Sequence, residues 1–419
     1  MISNTATLHK RRLPAQGVRQ GSAVSAKRNA LPPRQSFAIS QYRVFSGIRT
    51  PAMPVHSPVP GFDQQDAVFR RAFLILEEAI RARAFPAVST AVTHRGKLVG
   101  LKAVGRYTYD PGACQVTPAH IFDLASVTKA IATTSMAMIL NQRGSLDLET
   151  PVVEVVPEFA GDDERRRRVT FGHLLAHSSG LPAYEKLFLR ARAAEELLVA
   201  AFRTGLVAEP GTKAEYSDIG FIILGVALAR IADETIDQFC RREVFGPVGM
   251  SHTGFNPPAS WRSMTVPTVD DRVFRHRTIQ GEVQDENASL LGGVAGHAGL
   301  FATAHDVARF AHLLIEGGQP WFRPETIALF TRRQPLPGGS SRALGWDTPS
   351  SPSQSGGYFG PHSYGHLGYT GTSLWIDPGR QISITLLTNR TWPDASNQAI
   401  KQVRPAFHDA VMKALGAAS

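Results

Sequence analysis

The sequence predicts an α+β fold: an antiparallel sheet flanked by N- and C-terminal helices, with a mainly helical subdomain inserted. Three patterns carry that expectation. Strand-like segments gather near both ends of the chain. Amphipathic helical segments accompany them at both ends. The stretch between alternates helical patterns with Pro- and Gly-rich loops.

Each element follows in order. "DQQDAVFRRAFLILEEAIRARAF" places Val68, Phe69, Phe73, Leu74, Leu76, Ile80 and Ala84 on one wide apolar face, so a helix is expected from residue 63 until Pro86 ends it. "AVSTAVTHRGKLVGLKAVG" reads as two strands around a turn at Arg95-Gly96-Lys97. A helix should then cover residues 126–143, stopped by Gly144. In the middle, "GFIILGVALARIADETIDQFCRREVFGPVG" is the best-marked helical region. "GLFATAHDVARFAHLLIEGG" is another, with Thr303 and Asp306 as a capping-box-like start before Val307, Phe310, Leu313 and Leu314. "GTSLWIDP" and "QISITLLTN" are strands joined at Pro378-Gly379, and a final helix covers about residues 395–415. The sheet layer with its flanking helices is therefore assigned to 61–115 and 290–419, and the helical subdomain to 116–289. A cleft between the two layers is the expected site.

Composition narrows the function. The formal net charge of +10 is confined to the start: residues 1–60 hold nine Lys or Arg and no Asp or Glu. The remainder carries 36 basic and 35 acidic residues, so the globular part is nearly neutral and nucleic-acid binding is not expected of it. The run Arg165–Arg168 follows "GDDE" and reads as a solvated loop. Residues 1–60 are rich in Ser, Pro and Arg and are expected to be a disordered extension. They lack the apolar core of a secretory signal, so a cytoplasmic location is the default; they resemble either a transit peptide or an extension upstream of a start near Met53. No apolar run is long enough for a membrane span. Cys114 and Cys240 are far apart and suggest neither a disulfide framework nor a metal site. No H-E-x-x-H or carboxylate cluster points to a metal, and no cofactor is expected.

The chemistry centres on "FDLASVTKAIATT". Ser126 and Lys129 are three residues apart, which puts both on one helix face. Ser126 at the helix start meets free backbone N–H groups that could also stabilise an oxyanion. Lys129 lies among apolar neighbours, where burial should lower its pKa from ~10.4 and make it a base for the serine. Read alone, so common a pair is better explained as an N-cap serine and a surface lysine. Two further segments change its weight. "EPGTKAEYSDIGFIILG" presents Tyr216-Ser217-Asp218 at the mouth of an apolar helix; Tyr216 is either a packed aromatic or a general acid–base beside a lysine. "YGHLGYTGTSLWIDP" places His366 and the glycines Gly368 and Gly371 at a strand entry, where the Tyr369 N–H could be a second oxyanion donor. In "HLLAHSSG", His177 and Ser178 read as a structural turn that lines the cleft, and His297 as a packed loop histidine.

The order Ser-x-x-Lys, Tyr-Ser-Asp, His-x-Gly resembles the serine β-lactamase and penicillin-binding family, nearest its class C-like and esterase branch. "FDLASVTK", "FGHLLAHSSGLP", "YSDIGFIILG", "GGVAGHAGLFATAHDVARF" and "GHLGYTGTSLWIDP" resemble that branch's recurring segments, from about residue 65 to the C-terminus. The resemblance implies a β-lactamase/transpeptidase-like fold. It implies that Ser126 is the acylated nucleophile, Lys129 its proton acceptor and Tyr216 the general base that serves the leaving group and then water. The N–H groups of Ser126 and Tyr369 would form the oxyanion hole, and Asp218, His366 and Gly368 would contact substrate. Two positions depart from the family's pattern. Asp218 stands where Asn is usual, and an ionised Asp cannot donate to an amide carbonyl. Leu367 stands where a Thr or Ser hydroxyl is usual. With no fixed cation at position 366, the sequence favours a small-molecule acyl substrate, an ester or amide, over a β-lactam. The alternatives are a true β-lactamase, a D,D-peptidase or D-aminopeptidase, or a penicillin-binding module without turnover.

Overall fold

The strands predicted at the two ends of the chain meet in one six-stranded sheet. The computed structural model describes residues 57–418. Its strands are β1 (Val59–Pro60), β2 (Ala87–His94), β3 (Lys97–Gly105), β4 (Tyr364–Leu367), β5 (Ser373–Asp377) and β6 (Ile382–Thr388). They lie in the order β1-β3-β2-β6-β5-β4. N- and C-terminal halves join where β2 pairs antiparallel with β6, from Val88 opposite Thr388 to His94 opposite Ile382. Only the short β1–β3 pair is parallel.

The main helices are α1 (Arg70–Arg81), α2 (Ser135–Gln142), α3 (Asp218–Ala232), α4 (Ala304–Ile315) and α5 (Ile400–Ala414). Alternation along the strands gives the sheet two apolar faces. Val88, Val92, Trp375, Ile384 and Leu386 pack with Phe73, Leu76, Phe407 and Val411 of α1 and α5. Ala87, Ala91, Leu374, Ile376 and Leu387 belong to the larger core, which includes Val307, Phe310 and Leu314 of α4 and most of the helical region. Both terminal helices thus lie on one face and α4 on the other. Thr303 caps α4 as its sequence suggests, accepting from Asp306 N–H at 3.2 Å. The described residues form one compact unit.

Four differences from the sequence expectations have local causes. The first helical segment is broken at Phe69 into Gln65–Val68 and α1, and α1 ends at Arg81, well before Pro86. Arg83 takes a left-handed conformation (φ 57°) and the Ala84 N–H returns to Ala79 O at 2.9 Å, which closes the helix by an αL turn. The last helix begins at Ile400, because residues 389–397 are drawn into loop bonds instead. The helix after Ser126 opens with a π segment, Lys129–Thr134, before α2. There Lys129 and Thr133 both reach one loop, bonding His297 O at 2.9 Å and Gly296 O at 2.7 Å. Finally, order begins before residue 61: Val59 N–H bonds Gly96 O at 2.9 Å and extends the sheet edge. The remaining expectations for the basic extension, its disorder, transit-like character and start site, concern residues outside the described ones.

Candidate active site

Ser126 is presented by a strained turn. Ala125 has φ 46°, a left-handed value that costs about 1–2 kcal/mol for a residue with a Cβ. The buried Asp123 carboxylate holds that turn: one oxygen accepts from Ala125 N–H at 2.8 Å, the other from Gln284 N–H at 2.7 Å. Burial outweighs these bonds and pushes the Asp123 carboxyl up to about 6. Tight i→i+3 bonds follow, from Val127, Thr128 and Lys129 back to Leu124, Ala125 and Ser126. Ser126 itself therefore precedes the helix rather than opening it.

Lys129 is fully buried, and its ammonium spends its three N–H groups on named acceptors. It donates to Ser126 Oγ at 3.0 Å, to Asp218 Oδ1 at 2.6 Å and to His297 O at 2.9 Å. This corrects the expectation of a lowered pKa. Burial does push Lys129 down, but the Asp218 carboxylate and the Tyr216 hydroxyl outweigh it and hold the lysine above its ordinary value. An apolar sequence neighbourhood describes only half of a side chain's surroundings. The other half is Asp218, at the first turn of α3 and 89 residues away. Asp218 is accordingly the counter-ion of the lysine.

Tyr216 lies half-buried beside this pair. Its hydroxyl is coupled electrostatically to Lys129 and lies beside Ser126. Burial and then Asp218 raise its pKa, and Lys129 only partly offsets them. Three groups frame the ring. Lys129 Nζ lies 4.9 Å from its centroid, the Arg342 guanidinium 5.3 Å, and the His177 ring centroid 4.6 Å. His177 has φ 54°, and its Nδ1 accepts from Ser217 N–H at 3.0 Å, while its carbonyl accepts from Glu215 N–H at 2.8 Å. The "HSSG" turn thus fixes residues 215–217 in place. Ser217 caps α3, its hydroxyl accepting from Gly220 N–H at 3.0 Å and donating to Pro182 O at 2.7 Å.

The strand entry closes the site from the other side. His366 is buried, with its ring 6.1 Å from that of Tyr216. Burial first, then Lys129 and Arg342, push His366 down to about 3, so it is neutral at physiological pH. Nδ1–H donates to Leu367 O at 2.8 Å, which leaves Nε2 as an unpartnered buried acceptor among the described residues. Gly368 is required by close approach: a Cβ there would sit 1.9 Å from Thr372 Oγ1 and 2.5 Å from Leu124 O. Two buried hydroxyls tie this loop to the segment before Ser126, Thr370 Oγ1 donating to Asp123 O and Thr372 Oγ1 to Leu124 O, both at 2.8 Å. Among the described residues, neither the Ser126 nor the Tyr369 backbone N–H has an acceptor.

Leu367 packs against the core beneath the terminal helices, so its lack of a hydroxyl bears little on the site. Arg342 went unnoticed in the sequence. It has a loose ion pair with Asp347 at 3.6 Å and places a cation over the Tyr216 ring. His297 is a packed loop histidine, its Nε2 2.8 Å from Asp285 Oδ1, and it reaches the site through its carbonyl. No residue-type signal marks a backbone acceptor. Among the described residues no cluster of His, Cys, Asp or Glu could hold a metal ion, and no helix is long and apolar enough to cross a membrane.

Residues 74–405 match the family model described as Beta-lactamase. The chain belongs to the Beta-lactamase family. Family members at this distance include a Salmonella agona (strain SL483) protein named as a D-alanyl-D-alanine carboxypeptidase, 30% identical over 406 residues that cover 87% of this chain and 91% of the relative. Two solved structures share the family's fold. EstCE1, a hydrolase with promiscuous acyltransferase activity, is 21% identical with a TM-score of 0.67 over 82% of this chain and 99% of its own. A penicillin-binding protein homologue from Caulobacter crescentus is 18% identical with a TM-score of 0.67 over 83% and 97%. The protein is thus a β-lactamase-fold serine hydrolase by family.

Proposed function

We propose that the protein hydrolyses an ester or amide through an acyl-enzyme on Ser126, and that the leaving group carries a carboxylate. The observation that carries the first part is the contact of Lys129 Nζ with Ser126 Oγ at 3.0 Å, inside a network that also holds Asp218 and Tyr216. Ser126 Oγ attacks the carbonyl, and its proton passes through the Lys129–Tyr216 pair to the departing oxygen or nitrogen. The tetrahedral oxygen takes the free N–H groups of Ser126 and Tyr369. Water, deprotonated by the same pair, then releases the acid and restores Ser126.

Arg342 supports the second part. It lies over Tyr216, the group that serves the leaving atom, and its ionic partner among the described residues, Asp347 at 3.6 Å, is too distant for a tight bidentate pair. A carboxylate arriving with the leaving group could bond it directly. The 30% identical relative, named for a reaction that releases a carboxylate-bearing amino acid, agrees with this reading.

Burst kinetics and phosphonate labelling test the nucleophile: Ser126→Ala should abolish both with p-nitrophenyl acetate, and full turnover in that variant would sink the mechanism. Arg342→Met should raise KM about tenfold or more for a D-alanyl-D-alanine peptide or a carboxylate-bearing ester, with little change for p-nitrophenyl acetate. Equal effects on both substrates would remove the carboxylate from the proposal.

A further inference from the structure

The loop that carries Tyr369 is bonded from behind by two buried cations. Arg390 Nε donates to Tyr369 O at 2.6 Å, its Nη1 donates to Ala395 O at 3.1 Å, and its guanidinium lies 4.4 Å from the Tyr369 ring centroid. Arg404 Nη2 donates to Thr372 O at 3.3 Å and its Nη1 to Gln354 Oε1 at 2.9 Å. Arg390 is 6% exposed and Arg404 4%. Neither forms an ion pair with a carboxylate among the described residues. Burial holds both guanidiniums below their ordinary range, and their mutual repulsion adds to this at Arg404.

Two cations without a carboxylate partner are costly to hold in a low-dielectric interior. Holding a loop in shape does not demand that cost, since neutral donors bond carbonyls as well. Neutral groups do hold other carbonyls of the loop: Gly371 N–H bonds Gly368 O at 3.0 Å and Thr388 Oγ1 bonds Thr370 O at 2.9 Å, and Thr372 O itself also accepts from Gly368 N–H at 2.8 Å. Every carbonyl named here is engaged, while the Tyr369 N–H is left without an acceptor. Positive charge behind the loop favours negative charge in front of it, and the effect is large where water is excluded.

We propose that Arg390 and Arg404 are positioning residues of the oxyanion hole, which pin the loop 368–372 through Tyr369 O and Thr372 O and bias it electrostatically toward the tetrahedral oxyanion. Neither touches substrate. The inference rests on the reading of Ser126 and Tyr369 given above.

The test compares ground-state and transition-state binding in Arg390→Met, Arg404→Met, Arg390→Lys and Arg404→Lys. The probes are p-nitrophenyl acetate and phenylboronic acid, whose adduct with a serine is a tetrahedral anion. Each Met variant should lose about tenfold or more in kcat and a similar factor in boronate affinity, with KM changed less than about twofold. Arg404→Lys keeps the charge and should recover most of both. Folded Met variants with unchanged kcat and boronate affinity overturn the proposal. If the Met variants do not fold, Arg390→Lys decides, because lysine cannot hold Tyr369 O and Ala395 O together in the guanidinium's geometry. A several-fold loss of boronate affinity at constant KM supports the proposal, and no loss overturns it. Ser126→Ala, run in parallel, separates the two levels: if it keeps turnover, the underlying site reading has failed; if it is inactive, the arginine results stand on their own.

Discussion

Asp218 shows how one side chain can set the protonation of another. Its carboxylate 2.6 Å from Lys129 Nζ converts a lysine that burial alone would discharge into a stable ammonium. In that state the lysine donates to Ser126 and cannot accept from it. Tyr216 is also held protonated, by burial and by the same aspartate. The reactive form therefore lacks one proton relative to the resting pair, and its population grows as pH rises. Activity should climb through the neutral range into the alkaline. Asp218→Asn removes the charge that opposes burial, so Lys129 should titrate lower and the rising limb of kcat/KM should move at least about one unit toward acid. A pH–rate profile of the variant measures this, and an unmoved limb would show that Asp218 does not set the base. The sequence pointed to Ser126, Lys129 and Tyr216, which the fold brings together, because their spacing and local context are chain-local. It misjudged the charge of Lys129 because the deciding partner is not local.

The element that makes the site work is the turn-and-loop pair formed by residues 123–126 and 368–372. Two threonine hydroxyls lock them at 2.8 Å each, and Gly368 lets the backbones close together. Gly368→Ala should push the loop away, because its Cβ would meet Thr372 Oγ1 at 1.9 Å and the fixed Leu124 O at 2.5 Å. The cost should be at least about 2 kcal/mol in urea unfolding, with a lost acylation burst in the folded protein. A burst of normal amplitude and rate would show that the loop tolerates displacement. Strand entry and glycine spacing were readable from "GHLGYTG". The pinning by Arg390 and Arg404 was not, since both come from other elements and in sequence look like ordinary surface cations. The π segment Lys129–Thr134 was likewise invisible, because its wide turn answers to a loop at 296–297.

At the scale of the whole molecule, stability carries the imprint of the buried Asp123. Its folded carboxyl titrates near 6, above the ordinary value of 3.8. A raised acid binds its proton more tightly when folded. The stabilisation is therefore complete below about pH 4 and lost as pH rises through 6, amounting to roughly 3 kcal/mol by linkage. Asp123→Asn should flatten that part of the stability profile, followed by chemical denaturation between pH 4 and 7. An identical slope in the variant would place the titration elsewhere. The architecture as a whole was legible: strands at both ends, helices beside them and a helical middle follow from alternation and amphipathic period. That both terminal helices share one face, with α4 on the other, follows from how the two apolar faces of the sheet are filled.

Sequence alone determined the kinds of segment, their order and the class of chemistry, because apolar period, turn residues and the Ser126–Lys129 spacing are properties of neighbouring residues. Only the tertiary structure decided which charges face each other. Asp218 against Lys129, Arg342 over Tyr216 and two unpaired guanidiniums behind Tyr369 are contacts between distant segments. Electrostatic energy depends on distance and burial in space, and no spacing along a chain encodes either.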